Sequence, residues 1–167
     1  MVIEGTLREP EVNMRTASLY IKHGFTVHLH VPAVHEFVSR TRIFQRYFDQ
    51  SDDNSSYGRY TPREAHDRSY RVLPESVAAL VNSSLFKSVT LYDQNLNSIY
   101  TIGLPEKDAA REISAVLEKY RDNKHVDAAG VLLTIERLLP TAKQHGGIYG
   151  DLLELHKVVL QTAQVKS

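Results

Sequence analysis

The sequence contains no cysteine, which excludes a disulfide framework and thiolate metal sites and agrees with a reducing compartment. It has no bulk charge either. Twenty acidic side chains balance twenty basic ones, so no net field favours DNA, RNA or an anionic membrane as partner. No apolar run approaches the ~20 residues that cross a bilayer, and the N-terminus lacks the basic flank and apolar stretch of a secretory signal. No internal repeat or low-complexity tract is present. Also missing is the G-x-x-x-x-G-K-[ST] loop that cradles nucleotide phosphates. What remains is 167 residues, 42% of them hydrophobic, enough chain to bury a substantial core. The expectation is a cytoplasmic α/β protein with neither nucleic acid nor membrane as partner.

The order of elements reads from periodicity. Val2 and Ile3 run into Glu4-Gly5-Thr6-Leu7-Arg8, a pattern expected where a buried strand ends and ligands bind in α/β enzymes. Residues 11–23 have a helical apolar face, with Gly24 as the C-terminal cap. Residues 25–31 alternate Phe25, Val27, Leu29 and Val31 with Thr26, His28 and His30, and Pro32 closes this second strand. Strand, helix, strand at this spacing predicts a parallel βαβ unit. A helix is expected over 34–49, and a loop over 50–60, which is rich in Asp, Asn, Ser and Gly. Thr61-Pro62-Arg63-Glu64 starts another helix, and residues 74–82 form a separate short one. Residues 88–92 and 98–102 flank Asp93-Gln94-Asn95-Leu96-Asn97 and predict a β-hairpin. From Pro105 the pattern is helical: 108–120, 127–139 and 149–164, punctuated by Pro140 and by Gly146-Gly147. Their apolar spacing reads as a helical cover on the sheet.

Several stretches, in order, carry a likeness: Ile3-Glu4-Gly5-Thr6-Leu7-Arg8, Arg15-Thr16-Ala17, Gly24-Phe25-Thr26-Val27, Gln45-Arg46-Tyr47, the run from Gly58 to Asp67, and Val89-Thr90-Leu91-Tyr92-Asp93. Together they resemble the zeta toxin family, P-loop kinases of bacterial toxin–antitoxin systems. The resemblance implies a partial P-loop-kinase-like α/β fold, with residues 1–103 forming the C-terminal portion of the kinase domain and 104–167 a helical region packed on it. It implies transfer of the γ-phosphate of ATP, with Mg²⁺, to a hydroxyl of UDP-N-acetylglucosamine. Glu4, Thr6, Arg8 and Thr16 then match positions lining the sugar-nucleotide pocket. Arg46 and Arg59 match the phosphate-contacting arginines, suited to charge stabilisation in phosphoryl transfer. Between them lies a segment of twelve residues expected to close over ATP.

In the family, the phosphate loop and the general-base aspartate precede the Glu-Gly-Thr-Leu-Arg strand, and neither stands in this sequence. The expectation is therefore a truncated kinase-like chain, inactive alone, that binds no ATP or Mg²⁺ by itself. The alternative is a non-catalytic interaction protein, taking an antitoxin, a toxin partner, a missing N-terminal half or a sugar nucleotide. A sheet edge left open would favour self-association. Plainer readings exist for single residues. Arg46 suits a solvated helix face, Glu4 can cap a helix or pair with Arg8, and Thr16 can bond its own backbone. His28 and His30 share a strand face with His35 nearby, but no carboxylate completes a metal site, so none is expected. His66-Asp67 lacks the further ligands of an HD-type phosphohydrolase. Lys143 to Gly147 lacks the lysine-serine ending of a phosphate loop and reads as a turn.

Overall fold

A computed structural model describes residues 1–51 and 58–165. The elements run α1 (Pro10–Lys22), β1 (Leu29–Pro32), α2 (Glu36–Ser51), α3 (Arg63–Asn82), β2 (Ser88–Tyr92), β3 (Ser98–Gly103), α4 (Ala109–Arg121), a 3-10 turn (Asn123–His125), α5 (Ala128–Ala142) and α6 (Gly146–Val165). They form two compact units, and each draws on chain from either side of residue 104. One comprises residues 1–34 and 67–121, the other 35–66 and 122–167. Among the described residues no helix is long and apolar enough to cross a membrane.

The first unit holds the sheet, in the order β1-β2-β3. Strands β1 and β2 are parallel, Leu29 opposite Val89 and Val31 opposite Leu91; β2 and β3 form the expected antiparallel hairpin. Leu29, Val31, Val89 and Leu91 face a core completed by Ala17 of α1, Val77 and Leu80 of α3, and Ile113 and Leu117 of α4. The opposite face is polar. His28 Nδ1 lies 2.7 Å from Ser88 Oγ, His30 Nδ1 lies 3.0 Å from Tyr92 Oη, and Thr101 donates to Thr90. The hairpin connection is shaped by Asp93, whose Oδ1 accepts the amides of Asn95 and Asn97, an Asx turn.

Two strand expectations need correction. Residues 1–7 form no strand, and Val2 and Ile3 are 89% and 54% exposed. Their β-propensity has no ladder to join, and propensity without pairing and burial is weak. Leu7, partly buried against the core, has φ 53 and breaks any extended run. The second strand starts at Leu29 instead of Phe25 because the end of α1 captures the intervening chain. Gly24, at φ 84, donates its amide to the Ile21 carbonyl, the Phe25 amide reaches Tyr20, and the two rings meet edge to face at 5.8 Å. That is a Schellman cap with its apolar contact. The parallel pair therefore forms one connection later than expected, between β1 and β2.

Helix α3 corrects a third expectation: residues 63–82 are one helix with Pro74 inside. Proline brings no N–H to the carbonyl four residues back, here that of Tyr70. That carbonyl accepts instead from Arg121 Nη2, while the Arg121 guanidinium lies 3.6 Å from the Tyr70 ring centre. The break is thus bridged from α4.

The second unit is helical. Phe37, Phe44 and Phe48 of α2 are buried in this unit, as are Val131, Ile135 and Leu138 of α5 and Leu152, Leu155 and Val159 of α6. His35 stands ahead of α2 and caps it, Nδ1 accepting the Phe37 amide at 3.2 Å while Nε2 meets Asn123 Oδ1 at 2.9 Å. Accepting at Nδ1 requires the Nε2–H tautomer, so Asn123 is the acceptor on the other side. Pro140 and Gly146-Gly147 do not interrupt helices here. The former lies inside α5 and the latter opens α6.

Candidate functional site

Four candidate residues lie in the first unit. Glu4, Thr6 and Arg8 are exposed, while Leu7 between them tethers the segment to the core. Gly5 runs beside α1, where a Cβ on it would stand 3.5 Å from Asn13 Oδ1. Thr16 follows Asn13 by three residues and so shares its side of α1. Arg8 pairs with Glu9 at 3.0 Å, both well exposed, and not with Glu4; such a pair is weak and easily exchanged for another anion. The Thr16 hydroxyl donates to the Val12 carbonyl at 3.0 Å, which leaves its oxygen free to accept.

Arg46 and Arg59 belong to the second unit, and both are exposed. Gln50 lies one helical turn beyond Arg46 on α2, and its Oε1 accepts the Arg59 amide at 3.3 Å. The Arg59 main chain is therefore held against the same helix that carries Arg46. Half of the expected closing segment, residues 52–57, lies outside the described residues.

Around Arg59 stand residues that sequence reasoning missed. The Tyr60 hydroxyl donates to Asp151 of α6. Burial, then this bond to a carboxylate, raise the Tyr60 pKa far above the ordinary phenol value. Arg63 meets Glu154 at 2.7 Å. Arg40 is only 8% exposed, and its charge acts on Tyr60 in the opposite sense. Tyr47 is buried and bonded to His145 at 3.1 Å. The aromatic residue next to Arg59 was the one available signal; nothing in the sequence points to Asp151.

The other candidate clusters are accounted for by ordinary contacts. His66 is buried and 3.0 Å from Ser39 Oγ. Among the described residues no group of three or more His, Asp and Glu side chains is placed to hold a metal ion.

The zeta toxin family model matches residues 1–104, a span that includes all six candidate residues. The chain belongs to the zeta toxin family. Its relatives include Toxin zeta of Enterococcus hirae, 31% identical over 60% of this chain and 35% of the relative. Toxin zeta of Streptococcus pyogenes is 29% identical over 83% of this chain and 47% of the relative. Among solved structures, a chain from the PezAT chromosomal toxin–antitoxin system of Streptococcus pneumoniae superposes with a TM-score of 0.59 and 22% identity, over 91% of this chain and 54% of that one. That likeness in fold extends past residue 104 into the helical region. The chain spans about half or less of the length of these relatives.

Proposed function

We propose that the chain carries the ligand-recognition surfaces of a zeta-toxin-type nucleotide-sugar kinase, which phosphorylates UDP-N-acetylglucosamine at the expense of ATP. The observation that supports this best is the family match over residues 1–104, which contains Glu4, Thr6, Arg8, Thr16, Arg46 and Arg59, five of them exposed and Thr16 half-buried. In the first unit Arg8 exchanges Glu9 for the diphosphate of a sugar nucleotide, presenting parallel N–H donors to its oxygens. Glu4 accepts from a sugar hydroxyl, and Thr6 and Thr16 complete the polar lining. In the second unit Arg46 and Arg59 would contact the phosphates of ATP in the intact family enzyme, where a phosphate loop holds the nucleotide, and two cations are suited to the charge that spreads over a transferring phosphoryl group. When bound, ATP supplies the γ-phosphoryl group for transfer to the sugar hydroxyl.

The 167 residues contain no G-x-x-x-x-G-K-[ST] loop. We therefore assign them binding without turnover on their own. Calorimetric titration with UDP-N-acetylglucosamine and then with Mg²⁺-ATP tests this. Binding of the sugar nucleotide, weakened by Arg8→Ala, together with no phosphotransfer, is the expected result. Turnover by the purified chain would refute the second half of the reading.

A second reading is favoured by the exposed apolar side chains of the first unit, Val2, Ile3, Val12, Leu19 and Phe25. These suit a protein partner, of which an antitoxin or a complementary kinase segment is the kind the family suggests. Co-elution with a zeta-type antitoxin, lost in Leu19→Asp with the fold intact, is the expected outcome. Unchanged elution would eliminate it.

A further inference from the structure

The chain on either side of Arg59 is fastened, and the Arg59 side chain alone is left facing out. Gly58 is buried against α2, so closely that a Cβ on it would overlap the Tyr47 carbonyl and come within 2.9 Å of the Tyr47 Cα. The Arg59 amide is held by Gln50. Tyr60 stacks beside Phe44 and Tyr47, with ring centres 5.7 and 6.0 Å away, and its hydroxyl donates to Asp151. Three residues on, Arg63 donates to Glu154. Asp151 and Glu154 are themselves three apart on α6 and share one face. The pairs 60–151 and 63–154 are therefore two rungs at matched spacing, laid along a single helix. Arg40 of α2 is buried, and its charge acts on Tyr60 against the effect of Asp151.

We propose that Tyr60 and Asp151 are positioning residues for Arg59, so that α6 serves as the rigid mount of a phosphate-contacting arginine. The proposal deepens the functional reading above and rests on its assignment of Arg59. It also gives the C-terminal helix a part in ligand binding, because an arginine whose backbone is already fixed loses less freedom on meeting an anion than one on a free loop.

The test reads Arg59 directly. Backbone ¹⁵N relaxation of the full 167-residue chain is compared among wild type, Tyr60→Phe, Asp151→Asn and Asp151→Ala, with the Arg46 amide in α2 as internal reference. In the wild type the Arg59 order parameter is expected near the rigid value of about 0.85, falling below about 0.6 in Tyr60→Phe and Asp151→Ala. Asp151→Asn keeps an acceptor for the hydroxyl and should restore most of the order. Arg46 should not move in any variant. Arg59 remaining rigid in Tyr60→Phe overturns the proposal, even where Asp151→Ala fails to fold. A separate arm, titration of wild type and Arg59→Ala with inorganic triphosphate, addresses the assignment of Arg59. Weaker binding by Arg59→Ala is expected; equal affinity, or no binding by either, would remove that assignment and leave the relaxation result to judge the mount.

Discussion

The bridge across Pro74 predicts an unusual coupling between two residues on different helices. Arg121 donates to the Tyr70 carbonyl, the one Pro74 cannot serve, and stacks on the Tyr70 ring at 3.6 Å. Arg121→Ala leaves a part-buried carbonyl without this donor, at a cost of about 1–3 kcal/mol, and removes a cation–π contact of about 0.5–2 kcal/mol. A combined loss of about 2–4 kcal/mol is expected. Pro74→Ala restores an N–H aimed at the same carbonyl. In that background Arg121→Ala should cost only the ring contact, so the double-mutant cycle should show the carbonyl share, about 1–3 kcal/mol, as coupling. Equilibrium urea unfolding of the four proteins, followed by circular dichroism, measures it. An identical cost for Arg121→Ala in both backgrounds would refute the account of how α3 runs through its proline.

Other expectations follow from single contacts. Gly58→Ala should destabilise by about 1–3 kcal/mol through overpacking against the Tyr47 backbone, lowering the melting temperature by several degrees; an unchanged melting curve would mean the segment yields freely. His35→Ala removes both the α2 cap and the Asn123 contact and should cost about 1–2 kcal/mol, with His35→Asn recovering part of it in thermal melts. Tyr100 donates to Glu112 at 2.6 Å, and that hydrogen bond, then burial, push its pKa up to about 12. Because the folded value lies above the unfolded one of about 10, the contribution is complete below about pH 10 and is lost as pH rises through about 12. Ultraviolet phenolate titration should show Tyr60 and Tyr100 ionising late, with only the Tyr100 step moving earlier in Glu112→Gln, and no movement would contradict the contact.

Much of the sheet was legible in the sequence because its period is short and its burial one-sided. Leu29 and Val31 alternate with His28 and His30, and they alternate in burial as expected. The hairpin was visible from its Asp-Asn turn, and the end of α1 from Gly24. What failed shares a cause: local pattern cannot see partners. The opening segment has strand residues without a ladder, and Phe25 belongs to the α1 cap. The guanidinium that carries α3 past Pro74 comes from a residue 51 positions away from Tyr70. The candidate site divides in the same way. The six residues were found by likeness to a family, since nothing in an isolated Arg46 separates it from any solvated helix arginine. Asp151 lies 91 positions from Tyr60, beyond any local signal, and its helix carries no motif of its own.

The most direct test of the central claim is calorimetric titration of UDP-N-acetylglucosamine into the purified chain and its Arg8→Ala variant. The account predicts saturable binding by the wild type and at least tenfold weaker binding by the variant, about 1.4 kcal/mol or more. Absence of binding to the wild type, or equal affinity in the two proteins, would contradict it.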